Sequence, residues 1–117
     1  MLNKVQFIGF VGADPSVQTF SFGQKLASFR LATNESIKKD DKTFESRAVW
    51  HSIDCRNELA EYVENNVKKG DKIYVEGKLR YRTYTDAHKV EKTVAIIAAE
   101  KILMLQHKNS SCSSEEA

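Results

Sequence analysis

Residues 58–86 read ELAEYVENNVKKGDKIYVEGKLRYRTYTD, and the apolar period changes inside this stretch. Leu59, Tyr62, Val63 and Val67 fall on one helical face, whereas Ile73, Val75, Gly77, Leu79 and Tyr81 share one strand parity. The spacing predicts a helix over 58–69, with Asn57 able to cap its start and Lys68, Lys69 and Gly70 suited to its end, followed by a strand over 72–85. Tyr81 is assigned to the core with the apolar set. On the other face lie Lys78, Arg80, Arg82 and Tyr84, cations beside an aromatic ring.

Outward from this segment, strand-like patterns recur over 3–11, 25–34, 46–54 and 93–103. Gly12 and the Ala13-Asp14-Pro15 segment interrupt the first, a turn falls at 21–24, and the polar run SIKKDDKT makes 36–43 a loop. VAIIAAEKILML at 94–105 is apolar on both parities and compatible with a helix, but Val94, Ile96 and Ile97 are β-branched and favour a strand through about residue 97. Five strands with one helix between the third and fourth is the order of an all-β OB-fold, a five-stranded Greek-key barrel. The domain is expected over 1–106. The remainder, HKNSSCSSEEA at 107–117, has nothing to bury and is expected to be a disordered tail.

A chain of 117 residues, 41% hydrophobic and 29% charged, supports one soluble domain. No apolar run reaches the ~20 residues of a membrane helix, and MLNKVQFIGF has no cleavage pattern, so a cytoplasmic protein with no membrane partner is expected. Cys55 and Cys112 stand outside any ligand spacing and read as free thiols. A net charge of +2 does not by itself announce a nucleic-acid partner; clustering on one surface would have to do so.

Trp50 is the sharpest single residue. In RAVWHSID it aligns with Ser46, Ser52 and Asp54, while Val49, His51 and Ile53 take the opposite parity. A ring on a polar face offers a base something to stack on, and Tyr84 with Arg80 and Arg82 repeats the pairing that a single nucleic-acid strand requires. Arg30 points away from Ala27, Phe29 and Leu31, which makes it a candidate phosphate contact, as are Lys78, Lys38, Lys39 and Lys42; Phe44 adds an aromatic at the foot of the loop. A solvated edge is the plainer reading of these charges. Phe20 and Phe22 flank a turn and are read as plugging the barrel, with a base contact as the alternative. His51, His88 and His107 are scattered, and neither a metal site, a cofactor loop nor a catalytic couple is present in the pattern, so no enzyme is expected.

Taken in order, NKVQFIGFVGADPSV (3–17), ASFRLATNES (27–36), VWH (49–51), the stretch 58–86 and ILML (102–105) resemble the bacterial and mitochondrial single-stranded DNA-binding protein family. The resemblance implies an OB-fold homotetramer that wraps single-stranded DNA by stacking and basic contacts, coating it during replication, recombination and repair, nucleoid-associated and without catalysis. An OB-fold adaptor of primosome type, or one directed at RNA, is the alternative, and a single-strand nuclease a lesser one. Trp50 matches the family's stacking tryptophan. Tyr84 stands where members often carry tryptophan, Ile37 where a tryptophan is typical, and Arg56 where many place phenylalanine, so this chain is expected to lean more on charge and to respond more steeply to salt. The end SSCSSEEA lacks the apolar tip by which bacterial members recruit replication enzymes, which argues against recruitment by that route.

Assembly has a motive in the residues themselves. The first strand is apolar on both parities, and Val5, Phe7, Ile8 and Phe10, with His51, are candidate subunit contacts.

Overall fold

The computed structural model describes residues 1–108. Six strands and one helix follow in the order β1 (Val5–Val11), β2 (Ser16–Thr19), β3 (Lys25–Lys38), β4 (Phe44–Arg56), α1 (Glu58–Asn66), β5 (Lys72–Thr85) and β6 (Glu91–Gln106). β1 pairs with both β5 and β3, and the sheet continues β5–β6–β4–β3, so five strands close on themselves. All pairings are antiparallel except the short β4–β6 contact of Ile53 with Ile97 and Asp54 with Ala98. The β1–β3 seam depends on Gly9. A Cβ there would lie 2.3 Å from the Ala32 carbonyl oxygen, closer than the two backbones allow.

Inside the ring the alternating residues meet as the parity argument requires. Leu31, Ile53, Ile73 and Val75 are fully buried, and α1 closes one end with Ala60, Val63 and Val67. The five-strand count holds for the barrel; β2, a short strand paired with β3, is additional, so the helix lies between the fourth and fifth strands of the whole chain.

Several boundaries differ from expectation. The helix stops at Asn66, because Val67 turns extended and the buried Asp71 carboxylate accepts the Lys68 N–H at 2.9 Å. Asn57 does not cap with its side chain: at φ 54 it serves the sharp exit from β4, its carbonyl accepting the Glu61 N–H at 3.0 Å. The loop predicted over 36–43 shrinks to 39–43, since β3 and β4 stay paired as far as Lys38 and Phe44. Asp40 holds that turn by accepting the Lys42 and Thr43 N–H groups at 3.0 and 2.9 Å, which also keeps its carboxyl below the ordinary range. β6 runs unbroken to Gln106 because both of its faces have a use: Ile102 and Met104 turn inward while Leu103 and Leu105 turn out.

Tyr81 is not a core residue. Beyond Leu79 the β5–β6 pair leaves the barrel as a two-stranded arm, so both parities meet solvent and Tyr81 is 68% exposed. Nor do Phe20 and Phe22 plug the barrel; both are exposed at the β2–β3 turn. At the start of the expected tail, Asp71 accepts the Lys108 N–H at 2.9 Å and lies 3.4 Å from His107 Nδ1. The rest of the predicted tail, with Cys112, lies outside the described residues. Cys55 is a buried free thiol, its pKa pushed up to about 12 by burial and by the neighbouring Asp54 charge.

Candidate nucleic-acid interface

Two long hairpins, β3–β4 and β5–β6, diverge above their short parallel contact, and the space between them is open. Trp50 stands on β4 at this opening, 47% exposed. Its ring edge rests on the backbone at Gly12, where an added Cβ would lie 2.3 Å from the indole, so only glycine lets the ring settle there. The Arg30 guanidinium lies 5.2 Å from the ring centroid, within cation–π range. These three residues, from three segments, fix the indole's orientation while leaving much of it accessible.

From Trp50 a chain of shallow hollows runs along β4; the first also takes in the inward-facing Phe7, His51 and Ile97, while the residues that join neighbouring hollows, Ser52 and Asp54, share Trp50's outward parity. The first includes Trp50 and Ser52; the next Ser52, Arg30, Arg82 and Asp54; the third Asp54, Arg56, Arg80 and Lys78. Each shares a residue with the next, so they form one track of roughly 20 Å at the ~3.3 Å rise of a strand. Along it Arg30, Arg56 and Arg80 are exposed and have no ion pair among the described residues.

Two of the predicted cations are already engaged. Arg82 donates to Asp54, which is buried and also accepts from the Ser28 hydroxyl at 3.0 Å. Lys78 is 3.8 Å from Glu100, with both side chains about half exposed and the pair weakly held. Asp54 was missed from the sequence, where it reads as one more polar residue on Trp50's parity.

Tyr84 is 44% exposed near the end of the β5–β6 arm, opposite Lys92. Phe44, 64% exposed, pairs with Lys38 at the tip of the other hairpin, with Lys39 and Lys42 in the adjoining turn. Both rings are on the hairpins that border the opening, but each is separated from Trp50: Phe44 by six residues of strand, roughly 20 Å, and Tyr84 by lying on the opposite hairpin. The structure therefore gathers Trp50, Arg30, Arg56 and Arg80 along one track and leaves Phe44, Tyr84 and the loop lysines at its outer reaches.

The candidate subunit contacts divide. Val5 and Phe7 turn inward against the core, and His51 stacks on Phe7 with ring centroids 4.0 Å apart, its Nε2 3.0 Å from Thr33 Oγ1. Burial holds the His51 pKa below its usual value, against a smaller opposing pull from the Glu35 charge. Ile8 and Phe10 face outward. Across the sheet Ile8 lies opposite Tyr74 and Tyr74 opposite Leu103, so an outward-facing row crosses β1, β5 and β6, exposed at Ile8 and Leu103 and half-buried at Tyr74, whose hydroxyl bonds to Gln6 and Glu76. Among the described residues there is no cluster of acid, histidine or cysteine side chains able to hold a metal, and no helix long and apolar enough to cross a membrane.

Comparison with known proteins agrees with this geometry. The profile of the Single-strand binding protein family matches residues 2–105. The Single-stranded DNA-binding protein of Bacteroides thetaiotaomicron is 39% identical over 111 residues, covering 93% of this chain and 69% of that protein. The Rickettsia prowazekii protein of the same name is 39% identical over 116 residues, covering 93% of this chain and 76% of the relative. Among solved structures, the Plasmodium falciparum SSB complex with ssDNA superimposes with a TM-score of 0.83 at 28% identity, covering 91% of this chain and 97% of that one.

Proposed function

The chain belongs to the single-strand binding protein family, and from that premise we propose that it holds single-stranded DNA along the β4 track, bases on rings and phosphates on arginines. It is a non-enzymatic protein that binds and protects exposed single strands without reading sequence, in replication, recombination and repair. The observation that carries the assignment of the surface is Trp50, half exposed, fixed by Gly12 and Arg30, at the head of a track whose free cations are all arginines. Stacking is tolerant of sequence because every base has a π-face, and arginine adds both charge and a flat surface. A cytoplasmic, nucleoid-associated location goes with this role.

Salt titration tests the electrostatic half. With three unpaired arginines on the track, log K for oligothymidine should fall against log salt with a slope of about −2, at the ~0.7 per phosphate of single strands. Other unstructured homopolymers should bind comparably and duplex DNA far more weakly. Salt-insensitive binding, or preference for duplex, would remove this surface from consideration.

We further propose that the protein assembles as a homotetramer through the outer row of Ile8, Phe10, Leu103 and Leu105, which a lone barrel leaves exposed to water. Light scattering should return a tetramer's mass, and Ile8→Lys with Leu103→Lys should reduce it while the circular dichroism of the barrel persists. A double variant of unchanged mass would place the contacts elsewhere.

A further inference from the structure

The β4 track does not end at Arg56. That residue also lines a separate cavity of about 360 Å³ at the foot of the barrel, with Phe20, Gln24, Lys25, Leu26 and Asn57. The size is within the ~300–1,000 Å³ typical of small-ligand sites. Its wall has a ring, Phe20, half exposed beside polar side chains able to meet a base edge, Gln24 and Asn57. Lys25 is bound to Glu64 at 3.0 Å, which leaves Arg56 as the cation available to a phosphate.

The turn that presents Phe20 is strained. Phe22 adopts φ 69 and is 98% exposed, an uncommon conformation for a bulky residue and an unfavourable exposure for its ring. No described packing accounts for either aromatic. Phe20 N–H donates to the Gln24 carbonyl at 2.7 Å, closing the turn without using the rings.

We propose that this cavity is a further subsite for one unstacked nucleobase of the same single strand, Phe20 taking the base and Arg56 holding the phosphate that links it to the track, with Phe22 in the turn that presents Phe20. This rests on the reading of the β4 surface given above. Continuity through Arg56 and the uncompensated cation favour a polynucleotide over a protein partner, which would gain little from a concave polar-edged site.

The test places a reporter at the site. In the full-length chain, Phe20→Trp combined with Trp50→Phe carries a single indole, and its emission is read while binding of labelled oligothymidine is followed independently by anisotropy. Saturation is expected to quench the indole. In the otherwise native chain, Phe20→Ala with Phe22→Asn, the asparagine tolerating the turn's positive φ, is expected to keep the thermal midpoint and bind oligothymidine roughly fivefold or more weakly. Both results are needed. Unquenched emission at saturation, or an affinity within about twofold of the parent, would overturn the subsite while leaving the β4 track intact and the rings to another partner. Absence of any anisotropy change with the parent chain would instead overturn the binding surface as a whole.

Discussion

Trp50→Ala is expected to weaken oligothymidine binding by about 1–3 kcal/mol, roughly 5- to 150-fold, with the barrel still folded. The indole is half exposed and contributes no side chain to the buried cluster, so its removal leaves the core unchanged. The loss has two parts. One is the stacking platform itself. The other is Arg30, whose guanidinium is oriented by the ring at 5.2 Å and would regain its rotamer freedom without it. Trp50→Phe should therefore recover part of the affinity, and Gly12→Val, which pushes the ring off its seat, should resemble Trp50→Ala although it removes no contact with DNA. Anisotropy with labelled oligothymidine reads all three. A Trp50→Ala chain that binds as the parent does would remove the indole from the interface.

What the sequence disclosed was whatever period could carry. Alternation from Ile73 to Leu79 and the helical face of Leu59, Tyr62 and Val63 both point to the core because each was bounded by a single buried side. Parity also put Trp50 outside, for the same reason. It failed where one-sided burial ends. Tyr81 continues the inward parity of β5, but the strand has by then left the barrel, and alternation does not say where a strand outruns its neighbours. Strand β6 was ambiguous because it is apolar on two faces that serve different purposes. Val5 and Phe7 were grouped with Ile8 and Phe10 since a strand with apolar residues on both parities hides which one is inner.

Charge was the least legible property. Arg80 and Arg82 are two residues apart on one parity and read alike, yet only Arg82 reaches a carboxylate, and that carboxylate comes from β4, 28 positions earlier in the chain. Partnership of this kind is a product of barrel closure. It separates the two arginines into different roles, and the second large effect expected of this protein follows from it.

Arg82→Ala should cost stability, and Arg80→Ala should cost binding. Removing Arg82 leaves the Asp54 carboxylate buried with, among the described residues, only the Ser28 hydroxyl as partner, an uncompensated charge in a place shielded from water. Because the Arg82 side chain is itself 47% exposed, screening reduces the effect, and about 1–3 kcal/mol is expected from denaturant unfolding. Adding Asp54→Ala to Arg82→Ala should return most of that loss, since the penalty belongs to the stranded acid rather than to the missing cation. Arg80 has no such partner among the described residues, so Arg80→Ala should leave the unfolding midpoint in place and flatten the salt slope of oligothymidine binding by about 0.7. The salt slope of Arg82→Ala should stay near that of the parent. If instead Arg82→Ala flattened the slope and left stability untouched, Asp54 would have to release its partner when the strand binds, and Arg82 would join the track as a phosphate contact.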